Sequence, residues 1–327
     1  MGTDRRRNPP ARRPHVPPVL LSAFAIFLAS LANARAQSCS VSATNLAFGD
    51  VTSAVLANQT STTTGTISYS CTGATANSTL TVCLALDTYN ASNTRSMTSG
   101  SNTLTYQIYS NSGYTAAWGD ASNSGIVTVQ LPTNSSGAAS GSSTVYAEVL
   151  AGQTTAPTGS YSQTLPGGTN NSLTDKNGTT SSCTTITRNR QDITFTATAT
   201  ISNACNISAT NLNFGSVGSL SSSVSGTSTI TVQCTNGDAY NIGLNAGTGS
   251  GATVAARLMT YGSYTVTYSL YQNSAHTTVW GNTIGTNTVS GTGTGSNQTI
   301  TVYGLVPVQT APAAGTFIDT VVATVTY

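Results

Sequence analysis

Charge is what this sequence has least of: Asp, Glu, Lys and Arg together make up 6% of its 327 residues. The scarcity deepens once the first 36 residues are set aside. Six of the eleven basic residues lie there, which leaves Arg95, Lys176, Arg188, Arg190 and Arg257 against eight acids, net −3. No basic face remains for nucleic acid and no polybasic patch for lipid head groups. Histidine is nearly missing as well. Beyond residue 36 there is only His276, and no CxxC or histidine cluster offers a metal site. The acids are scattered without a paired spacing; Asp87 with Asp120 is the pair a glycosidase reading would need, and nothing in the sequence brings them together. No GxSxG, P-loop or GxGxxG stands in a strand–turn–helix context. Enzyme chemistry and cofactors are therefore not expected, and no amphipathic helix stands out after residue 36.

The first 36 residues follow a logic of their own. Arg5, Arg6, Arg7, Arg12 and Arg13 precede the apolar run VLLSAFAIFLASLA (residues 19–32), and Ala34-Arg35-Ala36 supplies a small-x-small cleavage site. That order reads as a secretory signal peptide. The run of 14 residues is short of the roughly 20 needed to cross a bilayer. The remaining 291 residues are expected in an exported compartment, where disulfides persist.

What the chain does have is alternation. Val, Ile, Leu, Tyr and Thr fall into period-2 runs such as TISYSC (66–71), LTYQIYS (104–110), DITFTATATI (192–201), VTYSLYQ (266–272) and DTVVATVTY (319–327), separated by Gly, Asn, Ser and Pro. Many short strands with frequent turns predict β-sandwiches. The chain also repeats itself. CSVSATNLAFGDV (39–51) returns as CNISATNLNFGSV (205–217), Arg95-Ser96-Met97 as Arg257-Leu258-Met259, and LTYQIYSNSGYTAAWGD (104–120) as VTYSLYQNSAHTTVWGN (266–282). This predicts a tandem of one sandwich, with a first domain over 37–202 and a second over 203–327. Trp118 and Trp280 could stack on sugars, but both copies keep them, which argues for a role in the shared fold. His276, set against Thr115 of the first copy, reads as a surface loop residue.

The C-x-[VI]-S-A-T-x-[LV]-x-F-G opening, the R-x-M stretch leading to x-W-G, and the terminal D-T-V-x-A-T-V-T-Y resemble the spore coat U domain family, secreted subunits of archaic, Csu-type chaperone–usher pili. The resemblance covers nearly all of the chain after residue 36, twice over. It implies two tandem immunoglobulin-like, pilin-type sandwiches, all-β, the C-terminal one lacking its last strand. Such a sandwich is completed first by a periplasmic chaperone and then, on an outer-membrane usher, by the N-terminal strand of the adjacent pilin subunit, which is strand addition to an open edge.

Six cysteines follow residue 36, and six allow fifteen connectivities. The repeat favours Cys39–Cys71 and Cys205–Cys234, leaving Cys83 with Cys183; the last would close a loop of about 100 residues, worth about 4–5 kcal/mol in the chain-entropy model. The first copy carries an extra segment, PGGTNNSLTDKNGTTSSCTTITRNRQ (166–191), between GSYSQTL (159–165) and DITFTATATI. In the second copy the strand matched to DITFTATATI follows directly as GTFIDTVVATVTY. The extra segment is either a surface hairpin or a binding loop.

Only Gln37 and Ser38 separate the expected cleavage site from Cys39, which leaves nothing to donate. Val321, Ala323, Val325 and Tyr327 are the candidate face of the edge strand that meets a chaperone or donor. By resemblance the chain is expected to be a tip adhesin, exported through the periplasm to the pilus tip, attaching to abiotic or host surfaces and favouring biofilm formation. Tyr114, Leu165, Pro166 and Leu173 are the candidate adhesive residues. The rival readings are a non-adhesive pilus or coat subunit and a lectin-like module for one glycan.

Overall fold

The computed structural model describes residues 1–3, 36–87, 94–120, 125–168, 170–180, 183 and 189–327. Most of the expected signal segment and Arg188 lie outside them. The first repeat builds twelve strands: β1 (Ser38–Ala43), β2 (Leu46–Val51), β3 (Ser61–Thr72), β4 (Thr79–Ala85), β5 (Arg95–Ser99), β6 (Asn102–Tyr109), β7 (Val127–Pro132), β8 (Ala139–Val149), β9 (Gly159–Leu165), β10 (Ser172–Asn177), β11 (Gln191–Asp192) and β12 (Phe195–Ile201). They form an eight-stranded sheet, β1-β3-β8-β6-β5-β9-β12-β2, against a four-stranded one, β11-β10-β4-β7. The second repeat builds β13 (Cys205–Ala209), β14 (Val224–Cys234), β15 (Ala239–Leu244), β16 (Arg257–Tyr261), β17 (Tyr264–Tyr271), β18 (Val289–Thr292), β19 (Gln298–Val306) and β20 (Ala323–Thr326). Here the sheets are β13-β14-β19-β17-β16 and β18-β15-β20. Each sandwich has its own hydrophobic cluster.

The alternation translates directly into these layers. In β12, Phe195, Ala197, Ala199 and Ile201 are buried while the threonines between them face outward. One short helix was not foreseen: α1 (Ser53–Asn58) is a single turn and a half, with the Leu56 amide donating to the Thr52 carbonyl (3.1 Å) and the Leu56 side chain fully buried. A single anchoring leucine in so short a stretch produces no readable helical period. The β5–β6 and β16–β17 hairpins turn at Gly100 (φ 59°) and Gly262 (φ 58°), a left-handed conformation that glycine adopts without a Cβ clash.

The phrases shared by both repeats turn out to be the pins of the fold. Arg95 and Arg257 are buried, and each guanidinium spans between the sheets. Arg95 donates to the carbonyls of Leu86 (2.9 Å) and Trp118 (2.7 Å), and Arg257 to those of Leu244 (3.0 Å) and Trp280 (2.8 Å). Both tryptophan rings are buried and donate inward, Trp118 to the Leu84 carbonyl and Trp280 to that of Ile242. Neither ring is open to a sugar. Disulfides join Cys39 to Cys71 across β1 and β3, Cys205 to Cys234 across β13 and β14, and Cys83 of β4 to Cys183.

The aromatic packing corrects the register given to His276. Its ring lies edge-on to Tyr271 (5.3 Å) and Tyr303 (6.5 Å), as Tyr114 lies against Tyr109 (5.5 Å) and Tyr146 (6.2 Å). Both residues take positive φ, 54° and 53°. His276 thus stands in the place of Tyr114, not of Thr115.

Candidate functional site

The two sandwiches differ at one seam. In the first, β12 runs antiparallel to β9, with Phe195 opposite Leu165 and Ile201 opposite Gly159, and parallel to β2, with Ala197 beside Leu46 and Ile201 beside Val51. It closes the sheet and covers Leu46, Phe48, Tyr161 and Leu165, all buried. In the second, residues 211–217 repeat the β2 sequence and residues 315–321 occupy the place of β9; the pairing of Thr260 with Ile318 reproduces that of Thr98 with Ser162. Among the described residues, no strand lies between these two segments. Val51 is 2% exposed and its counterpart Val217 is 45% exposed. Leu212, Phe214, Phe317 and Val321 are half-buried where Leu46, Phe48, Tyr161 and Leu165 are enclosed.

A cleft of about 700 Å³ fills the gap, walled by residues 209–214, 317–321 and Ala323 and floored by Ile230, Leu244, Leu270 and Val302 of the core. Its shape and lining suit an extended strand: two unpaired backbone edges face each other across an apolar floor. Phe214 holds Tyr268 edge-on at 5.9 Å as Phe48 holds Tyr106 at 6.0 Å, so the floor is preformed without its cover.

One acidic side chain lines the cleft, and local hydrogen bonds hold it in place. Asp319 accepts from the Tyr268 hydroxyl (2.8 Å), the Thr248 amide (2.7 Å) and hydroxyl (2.9 Å), and the Thr320 amide (2.8 Å). Desolvation, then the hydrogen bond to Asp319, holds the Tyr268 hydroxyl well above the usual phenol range. Desolvation pushes the Arg257 guanidinium below its ordinary value, against the pull of Tyr268 and Asp319. The first sandwich has Gln163 at this position, with a buried carbonyl oxygen that finds no partner.

The closing strand also overturns one sequence match. β20 pairs with β15 as β10 pairs with β4. Residues 322–327 of DTVVATVTY therefore correspond to the strand inside the extra segment, and DITFTATATI has no counterpart among the described residues of the second sandwich. The two share a T-x-x-A-T pattern (194–198 and 320–324), and alternation does not say which edge a strand joins. The extra segment is accordingly neither a decorative hairpin nor a free loop in its first half, because β10 is an interior strand of the four-stranded sheet.

The candidate residues divide. Val321, Ala323 and Val325 alternate half-buried along the groove wall and edge strand β20, and Tyr327 is exposed. Leu165 and Leu173 are fully buried, on β9 and β10. They cannot touch an external surface, and their expected place among adhesive residues is withdrawn. Pro166 is exposed, and Tyr114 is half-buried in its aromatic trio. Asp87 and Asp120, unconnected in the sequence, lie on adjoining segments, the Leu86 amide donating to the Gly119 carbonyl (3.0 Å). Among the described residues no cluster of three His, Cys, Asp or Glu could hold a metal.

Comparison with known proteins agrees with this architecture. A chain in the crystal structure of the CsuC–CsuE chaperone–tip adhesion subunit pre-assembly complex, from the archaic chaperone–usher Csu pili of Acinetobacter baumannii, superposes with a TM-score of 0.53. The match covers 89% of this chain and 100% of that one at 19% identity, a likeness of fold. Protein U of Myxococcus xanthus is 35% identical over 145 residues, which span 39% of this chain and 80% of that protein. The Spore Coat Protein U domain matches residues 24–167 and again 191–324, the second match taking in β11 and β12. The chain belongs to the Spore Coat Protein U domain family.

Proposed function

We propose that this chain is the tip subunit of a chaperone–usher pilus, exported through the periplasm, with the first sandwich as its adhesive domain and the second as its connector. The observation that carries the reading is the contrast at the seam. One sandwich is sealed by its own strand, Phe195–Ile201, and the other holds an open groove with an apolar floor in the same place. A subunit built this way takes a strand at one end and presents a finished domain at the other.

The groove's partners follow from that role: a periplasmic chaperone first, then the donor strand of an adjacent pilin at the outer-membrane usher. The solved complex in which a chaperone holds a tip adhesion subunit supports the transfer. Attachment and biofilm formation are the corresponding roles of the first sandwich, with Tyr114 and Pro166 as the remaining contact candidates.

A second reading concerns what the tip touches. Among the described residues, apart from Met1, every exposed large hydrophobic side chain lies in the second sandwich. A first sandwich with a polar described surface favours a hydroxyl-rich glycan over an apolar surface, since hydrogen bonds rather than burial would carry the contact.

The test is a displacement experiment. The chain, purified with its chaperone, is offered a donor peptide from a shaft subunit of the same pilus. One peptide per chain should release the chaperone and leave a monomer that still coats polystyrene or a glycan-bearing surface. A chain that instead polymerises with itself is a shaft subunit, and the tip assignment fails.

A further inference from the structure

The end of the first sandwich from which β12 departs is covered by the second sandwich. The link 202–204 is tied there by Thr235, whose hydroxyl accepts from the Ala204 amide (3.1 Å) and donates to the Ser202 carbonyl (3.2 Å). The loop 153–158 makes the contact. Asn236 Nδ2 donates to the Thr155 carbonyl (2.8 Å), Thr158 donates to Asp238 (3.3 Å), and a Cβ on Gly295 would stand 1.7 Å from the Thr154 carbonyl oxygen. This joint is polar and close.

The second sandwich has the same end, built the same way. Gln309 bonds both the amide (3.0 Å) and the carbonyl (2.8 Å) of Thr267, as Gln153 bonds those of Thr105 (2.6 and 2.8 Å). Its chemistry is reversed. Where the first sandwich has Ser99, Asn102, Gly152, Thr155 and Thr158, the second has Tyr261, Tyr264, Val308, Ala311 and Ala314. Tyr261 and Tyr264 pair across the hairpin at 46% and 47% exposure, and Val308 is 63% exposed.

A strand seated in the groove as β12 sits in the first sandwich finishes beside Gly315, at this same end, because Ile201 finishes beside Gly159. Whatever body follows that strand must stand against these residues. We infer that Tyr261, Tyr264, Val308 and the loop 309–314 form an apolar seat for the body of the neighbouring subunit that donates the strand, an inference that rests on the strand-acceptor reading above. The reversal of chemistry has a physical reason. Within one chain the covalent link keeps the two sandwiches at high effective concentration, and polar contacts suffice. Between separate chains that link exists only once the strand is seated, and burial of apolar surface adds to the hold of the strand. A departing chaperone would leave the patch bare in the finished assembly, whereas a permanent neighbour covers it.

The test compares two probes on the full-length chain: the neighbouring pilin of the same pilus with its N-terminal extension intact, and a synthetic peptide of that extension alone. The variant is Tyr264→Asn with Val308→Ser, both exposed and both distant from the core; Tyr261 stays, because its ring also packs on Phe317 at 5.8 Å. The whole pilin should dissociate roughly 10-fold faster from the variant while the peptide binds within about 2-fold of the native chain, a change of order one interface hot spot. Equal binding of the pilin to both chains overturns the seat. So does an equal loss of peptide and pilin. If neither probe binds the native chain, the groove reading itself has failed, and the seat falls with it.

Discussion

The two sandwiches share their disulfide, their buried arginine, their buried tryptophan and their aromatic contacts, yet one is finished and the other is not. What separates them at the seam is a seven-residue strand, β12, that sits between β9 and β2 in the first and has no equivalent among the described residues beside 315–321 and 211–217 in the second. The comparison teaches that most of such a fold can be assembled without its last strand. The arginine and tryptophan pins tie the two sheets together without that strand, and the seam residues remain half-covered on a preformed floor. β12 also serves as the first sandwich's built-in answer to the problem the second leaves open.

The sharpest way to break the comparison is to unmake that answer. Ala197→Asp with Ala199→Asp places two carboxylates in buried positions of β12, at a cost of about 4 kcal/mol or more. Calorimetry should show the first sandwich's transition collapsing while the second's stays where it was. If both transitions fall together, the sandwiches are not independent and the comparison is wrong.

A smaller effect comes from the paired phenylalanines. Phe48→Ala, in an enclosed site, should cost about 3–4 kcal/mol. Phe214→Ala, at the open seam, should cost about half of that, and denaturant titration of the two variants would show equal losses if the groove were in fact closed.

The smallest concerns Asp175, which is buried beside Gln37 and Asn189, with the burial raising its carboxyl above the ordinary carboxylate range. A raised acid contributes stability in its protonated form, and that contribution is lost as pH rises through its folded value. Asp175→Asn should therefore gain on the native chain as pH increases from about 4 to about 7. A difference that stays flat over that window, measured by urea unfolding, would show that Asp175 is not strained by burial.

Much of this was legible beforehand because alternation and repetition are local signals. The strands of both repeats, the arginine and tryptophan phrases and the all-β tandem can be read from spacing alone. The ownership of a strand cannot. FTATATI and VVATVTY carry the same period and the same small and β-branched character, and only pairing partners distinguish a strand that closes the seam from one at the edge of the opposite sheet. Leu165 and Leu173 misled for a related reason. Pro166-Gly167-Gly168 and Asn170-Asn171 look like a loop, and the strands on either side of it turn both leucines inward. The groove itself has no local signature, since residues 211–217 repeat residues 45–51 almost letter for letter. It exists through the lack of a partner, which one sandwich reveals only when set against the other.

The most direct measurement gives the second sandwich the strand that the first already owns. A synthetic peptide of residues 193–201, ITFTATATI, is titrated into the full chain beside a control of the same composition whose Phe and Ile fall on the outward positions. The account predicts one peptide per chain, new amide protection at 211–217 and 315–321, and a second transition stabilised by about 2.7 kcal/mol at a hundredfold excess over Kd, with the first unmoved. No binding, equal binding of the control, or protection confined to the first sandwich would contradict it.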